Sequence, residues 1–215
     1  VNEMADFIYL ASQSPRRREL LTQLGVAHEL LLPDAHEDAE ALEEPMACEP
    51  AREYVQRVTG LKFVAANERW LRRQAEQGLV RQPIVCADTT VTMDGHILGK
   101  PRDAEHAAQM LRRLSGATHT VYTAIAVGWP ERDIHACKPV QLLSSSVVHM
   151  ATMGEEDIAA YVASGEPMGK AGAYGIQGRA AAFIARIEGS YSGIMGLPLY
   201  ETAQALGRLA WPVAR

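Results

Sequence analysis

Apolar positions along the chain recur at two spacings, and together these predict its elements. Phe7, Ile8, Tyr9 and Leu10 form a continuous apolar run that predicts a buried strand, and a short polar turn then leads into a helix. Ser14 fits the N-cap of that helix, Pro15 its first position and Gly25 its C-terminal stop. Residues 27–32 predict a second strand. Tyr54, Val55, Val58, Leu61, Val64, Trp70 and Leu71 keep helical spacing and predict a long helix over residues 49–77. Residues 84–87 read as a short buried strand ending in Asp88, Thr89 and Thr90, and Asp94-Gly95 as the turn of a hairpin returning through His96, Ile97 and Leu98. Asp103 caps a helix that buries Ala107, Ala108, Leu111 and Leu114, with Gly116 at its end. Thr118–Gly128 and residues 140–152 predict neighbouring antiparallel strands joined by a turn near Pro130. Thr152 and Glu155 have capping-box spacing for a helix through Tyr161, which Gly165 stops. Residues 181–187 and 190–195 predict two more strands, and Pro198 opens a final amphipathic helix.

Strands and helices in this order do not alternate strictly. The fold class is therefore α/β, with a mixed sheet flanked by helices rather than a doubly wound parallel sheet. At 215 residues and 47% hydrophobic the chain buries a full core, as one domain or as two lobes around a cleft. A net charge of -5 argues against a general nucleic-acid binder, which carries a broad basic surface. Cys48, Cys86 and Cys137 are widely spaced, odd in number and form no CxxC pair, a pattern expected in a reducing cytoplasm. No segment reaches membrane-spanning length, and the first residues lack a basic start followed by a long apolar run, so neither membrane insertion nor export is expected.

Against this acidic background the stretch 10–21, LASQSPRRRELL, stands out. Arg16, Arg17 and Arg18 occupy the first helical turn, where the helix dipole already places positive charge. With Ser12, Ser14 and the free N–H groups of the helix start, they suit a polyanion such as a phosphate chain; the alternative is a solvated basic face. Residues 33–49 are acidic, with Asp34, Glu37, Asp38, Glu40, Glu43, Glu44 and Glu49, mostly solvated charges of which one or two would face the arginines or hold a metal. Lys62 by itself reads as a surface lysine on its helix. Asp88 either is a catalytic or metal-binding carboxylate held at a strand end or caps the following turn. The string GHILGK is one residue short of a Walker loop and has Pro101 where Ser or Thr is required, but Lys100 and Arg102 remain cations beside a helix start. KAGAYGIQG, residues 170–178, carries three glycines at three-residue spacing, which suits a loop that brings backbone close to a ligand. Gln177 there would read a base edge, and Tyr174 would offer a ring or hydroxyl, unless the loop is simply tight.

Five stretches in order, LASQSPRRRELL, CADTTV, LGKPRDAEHAAQMLRRLSG, KAGAYGIQG and GLPLYET, resemble the Maf family of nucleoside triphosphate pyrophosphatases. The likeness runs from Tyr9 almost to the C-terminus, so the resemblance implies one such domain over residues 1–215. It implies a mixed, strongly twisted α/β sheet with a deep cleft, a homodimer, and hydrolysis of a nucleoside triphosphate to monophosphate and pyrophosphate with Mg²⁺, or Mn²⁺ or Co²⁺ in its place. By the same resemblance Asp88 is the proton acceptor for the attacking water, and Arg16, Arg17, Lys62 and Lys100 contact phosphate. Ser12 and Ser14 belong to the phosphate loop, and Glu37 joins Asp88 at the metal. Arg16, Thr89 and Gln177 match the specificity positions of the branch acting on dTTP and UTP, whose role would include removal of non-standard nucleotides. Two rivals are a regulatory nucleotide-binding protein linked to septum formation, and a pyrophosphatase of broader specificity that takes CTP or modified UTP.

Overall fold

The structure is a computed structural model that describes residues 7–35, 37–38, 41–133 and 138–212. Glu40 of the acidic loop and Cys137 lie outside the described residues; Cys48 is exposed and Cys86 buried, and neither forms a disulfide.

The first strand, β1 (Ile8–Leu10), is buried along its whole length and leads into α1 (Pro15–Gln23), with Gly25 in the left-handed region just beyond it. Then follow β2 (His28–Leu30), α2 (Ala51–Gln77), β3 (Ile84–Met93), β4 (His96–Leu98), α3 (Ala104–Leu114), β5 (Thr118–Gly128) and β6 (Val140–Met150). The chain closes with α4 (Glu155–Ala163), β7 (Ile184–Glu188), α5 (Tyr191–Met195) and α6 (Leu199–Arg208). Among the described residues these strands form one seven-stranded sheet in the order β2-β1-β3-β5-β6-β7, with β4 also pairing β3. β1 lies parallel to β2 and β3, and the remaining pairs are antiparallel, so the sheet is mixed.

Alternation along the strands gives each face its own core. Ile84 and Cys86 of β3 meet Phe63, Ala66 and Trp70 of α2 on one face. Val85 and Ala87 meet Leu20 and Leu21 of α1 and Ala205 and Leu206 of α6 on the other. A third cluster, with Val91, Val121 and Val148, packs against Leu111 and Leu114 of α3 and Ile158 and Tyr161 of α4. The hairpin turn is the one expected: Asp94 and Gly95 both take positive φ, 51° and 76°, which matches the twist of the flanking strands.

Four expectations are corrected. β3 does not end at Asp88; it runs on to Met93, because Asp88 through Thr92 keep their ladder with β5. Residues 190–195 form no strand: Ser190 accepts a hydrogen bond from the Gly193 amide and starts the short helix α5. Thr152 is not the cap of α4. Ser115 Oγ holds the Met153 amide at 2.7 Å, so the helix starts later, at Gly154, whose amide is met by Asp157 Oδ2 at 3.1 Å. The strand expected over 181–187 is shifted, since a 3-10 turn at Arg179–Phe183 delays it to Ile184–Glu188.

Candidate active site

The sheet opens beside the middle of β3. β1 pairs with it at Tyr9↔Ile84 and Leu10↔Val85, and β4 joins only from Val91. Residues 86–90 are thus laddered to β5 on one edge, while the other edge faces a cavity of about 770 Å³. Asp88 belongs to the face that looks at α2 and Thr89 to the face that looks at α1, so one dipeptide serves both walls.

On the α2 wall, Lys62 donates to Asp88 Oδ1 at 2.6 Å and to Glu43 Oε1 at 2.7 Å. Lys100, just after β4, donates to the other Glu43 oxygen at 3.1 Å. Asp88 is 7% exposed, and its Oδ2 makes no protein hydrogen bond among the described residues. Burial raises and the two lysines lower the Glu43 carboxyl pKa, with the net result below its ordinary value. Glu43 therefore stays ionised at neutral pH.

On the α1 wall, Arg17 donates to Gly196 O at 2.8 Å and to Ser12 Oγ at 3.1 Å. Its second terminal nitrogen lies 3.5 Å from Thr89 Oγ1, and a hydroxyl chain continues from Thr89 through Thr123 to Gly193 O. Burial pulls the Arg17 guanidinium below its ordinary pKa, and Asp88 opposes that shift. Arg16 lines the same cavity but has no hydrogen-bond or ion-pair partner among the described residues, and burial lowers its pKa too. Ser14 sits at the N-cap position, yet its side chain makes no capping bond, and its amide donates to Ser12 Oγ at 3.2 Å. The start of α1 thus presents an unengaged hydroxyl and an unpartnered guanidinium to the cavity, an arrangement suited to an anion.

Ser12, Ser14, Arg16, Arg17, Lys62, Asp88, Thr89 and Lys100 therefore line one cavity. Glu37 also lines it, but its carboxylate is engaged by Arg69 (3.0 Å and 3.1 Å) and by Arg72 (2.8 Å), which hold its pKa below the ordinary value. Gln177 is exposed and is absent from the lining, to which its loop contributes Tyr174, Gly175 and Ile176. Sequence reasoning leaves Glu43 undistinguished among seven acidic residues and gives Tyr54, Arg69 and Lys170 no role at the site, yet all four line the cavity. Only helical phase could have found Arg69, which lies seven residues after Lys62 on the same helix.

The glycine loop closes the far wall. Gly172, at φ 68°, donates its amide to Gly99 O at 3.1 Å and ties the loop to the hairpin exit. Glu166 accepts from Tyr161 Oη at 2.9 Å and from the Arg179 amide at 3.0 Å. A Cβ on Gly178 would fall 2.0 Å from that carboxylate, so only glycine lets the two approach. Beneath the loop, His119 Nε2 lies 2.7 Å from Tyr174 Oη, while its Nδ1 is buried without a partner among the described residues. Burial, with a smaller contribution from His149, lowers the His119 pKa from 6.5 to about 4. The unfolded chain thus takes up this proton near pH 6.5 and the folded chain only near pH 4, so stability falls as pH drops through that interval. The loss is about 3 kcal/mol by pH 4. A His119→Gln variant is expected to flatten the melting temperature between pH 6.5 and 4; an unchanged slope in that variant would place the acid sensitivity elsewhere.

No helix among the described residues is long and apolar enough to cross a membrane. Relatives of this chain share nearly its full length. It is 55% identical over 210 residues to a dTTP/UTP pyrophosphatase of Albidiferax ferrireducens, covering 98% of this chain and 100% of the relative. It is 59% identical to a dTTP/UTP pyrophosphatase of Cupriavidus metallidurans, covering 94% and 96%. A third protein of that name, from Ralstonia nicotianae, is 57% identical and covers 94% of each chain. The family model described as Maf-like protein matches residues 7–209, which takes in every residue of the cavity wall, and the chain belongs to the Maf family.

Proposed function

We propose that the chain is a nucleoside triphosphate pyrophosphatase that hydrolyses dTTP and UTP to the monophosphate and pyrophosphate. The observation that carries this reading is the cavity itself: Arg16 and Arg17 on its α1 wall and Lys62 and Lys100 on its α2 wall share it with a carboxylate, Asp88, that has an unengaged oxygen. Four cations suit the charge of a triphosphate, and a positioned carboxylate suits activation of water. A regulatory nucleotide binder would need the cations without the poised carboxylate, and is not favoured. The dTTP/UTP names of the relatives support the pyrimidine preference.

In this mechanism the triphosphate lies across the open edge of β3, with its phosphates against α1 and the two lysines. A water attacks the α-phosphorus; the new P–O bond forms as the bond to the bridging oxygen breaks, and that electron pair leaves with pyrophosphate. Asp88 Oδ2 takes the water proton, while Oδ1 stays hydrogen-bonded to Lys62 and keeps the carboxylate oriented. Arg16, Lys62 and Lys100 meet the charge that builds on the departing group.

Among the described residues no three carboxylate, imidazole or thiol groups gather as a preformed metal site. Mg²⁺ needs none, since it is commonly held by one or two carboxylates together with substrate phosphates. Asp88 fits this role, whereas Glu37, engaged by Arg69 and Arg72, would have to give up those contacts. A divalent cation, Mg²⁺ in the first instance and Mn²⁺ or Co²⁺ as alternatives, would neutralise phosphate charge there.

The reading extends to a single domain acting as a cytoplasmic homodimer, with Arg16, Thr89 and Gln177 setting base preference; its support is the family resemblance. The experiment is product analysis: dTTP and UTP are expected to give monophosphate and pyrophosphate in equal amounts, and purine triphosphates much less. Inorganic phosphate as the first product would contradict it.

A further inference from the structure

The acidic loop places one carboxylate where the proposed chemistry needs a phosphate. Glu43 Oε1 accepts from Lys62 at 2.7 Å and Oε2 from Lys100 at 3.1 Å, so two oxygens of one anion already bridge both lysines. Its position is built rather than incidental. Tyr54, packed into α2, donates its hydroxyl to the Glu43 carbonyl at 2.7 Å. Arg57, one turn further on, donates to the Glu44 carbonyl at 3.0 Å and clamps Glu49 at 2.6 Å and 2.7 Å. The backbone that follows the Glu43 side chain is thereby fixed to α2.

An anion held this way competes with any phosphate for the same ammonium groups. The competition weighs unequally on the ligands of the cycle. The triphosphate and the monophosphate each have a base and a sugar to hold them elsewhere in the cleft, which pyrophosphate lacks. Pyrophosphate alone depends wholly on the cations. We propose that Glu43 is an internal competitor for Lys62 and Lys100 that displaces pyrophosphate after hydrolysis and restores the empty site. The inference rests on the reading of the cleft as a triphosphate site. Glu43 acts through the two lysines, so it is a positioning residue and not a catalytic one.

The test is calorimetric titration of pyrophosphate and, separately, dTMP into the full chain at fixed Mg²⁺. The Glu43→Gln variant is expected to bind pyrophosphate about fivefold tighter, the effect of removing one unit charge from a partly exposed contact. Its dTMP affinity is expected to stay unchanged, and so are both affinities of Glu44→Gln, a neighbouring exposed charge with no side-chain partner among the described residues. Glu43→Asp, which keeps the charge but shortens its reach, serves if the Gln variant does not fold, and is expected to tighten pyrophosphate binding to a lesser degree. Unchanged or weaker pyrophosphate binding in a folded Glu43 variant overturns the inference while the proposed function stands. If the unaltered chain neither binds pyrophosphate nor releases it from any triphosphate, the triphosphate reading falls and this inference with it.

Discussion

Asp88→Asn is expected to lower kcat for dTTP by about 10²- to 10⁴-fold, the range a positioned general base supplies. The amide keeps the size of the carboxylate and an oxygen for Lys62, and Lys62 retains Glu43 as its charged partner. The variant should therefore fold, with a melting temperature close to that of the unaltered protein, and should still bind the nucleotide. KM is expected to change less than kcat, because Arg16, Arg17, Lys62 and Lys100, which meet the phosphates, are unaltered in the variant. Steady-state kinetics beside a thermal melt checks this, and full turnover in a folded Asn variant would remove Asp88 from the chemistry.

The second large effect is on stability. Arg69 is 4% exposed, donates from Nη1 to Leu31 O at 2.8 Å and grips the Glu37 carboxylate through Nε and Nη2. Arg69→Met would leave the Leu31 carbonyl without this donor and Glu37 with only Arg72 and the Asp34 amide. Removing one partner of a buried pair costs about 3–5 kcal/mol, and the remaining Arg72 contact argues for the lower end. For a chain of this size that is a fall in melting temperature of roughly 6–12 °C. Calorimetry reads it directly; a melting temperature within a degree or two of the original would mean that the contact contributes little. The Glu37 contribution should also vanish in acid. Its folded pKa lies below the ordinary 4.5, so the stabilisation is complete above that pH and disappears as pH falls through the folded value.

Much of this arrangement was legible in the sequence because the signals were local. The start of α1 was marked by Ser14-Pro15, and the arginines after it were conspicuous because they oppose the helix dipole. The Asp94-Gly95 hairpin and the paired strands β5 and β6 followed from turn chemistry and alternation. What escaped depended on tertiary partners. Seven carboxylates in the acidic stretch look alike locally, and only the approach of α2 separates Glu37, bound to Arg69, from Glu43, bound to Lys62 and Lys100. The length of β3 was missed because Asp88 through Thr90 are too polar to read as a buried run; β5 supplies the ladder that keeps them in strand. Residues 190–195 alternate well enough for a strand, but one serine cap and a following glycine turn them into a helix that presents Gly193 and Gly196 carbonyls to Thr123 and Arg17. Gln177 follows from the chemistry of the glycine loop and from the resemblance; in the structure it is exposed, and Tyr174 and Ile176 of that loop line the cavity.

The most direct test of the central claim is hydrolysis of dTTP in H₂¹⁸O, with the products separated and weighed by mass spectrometry. Attack at the α-phosphorus puts one ¹⁸O into dTMP and leaves pyrophosphate unlabelled, which is the expected result. Label in pyrophosphate, or release of dTDP and labelled inorganic phosphate, would contradict the proposed placement of the triphosphate over Asp88.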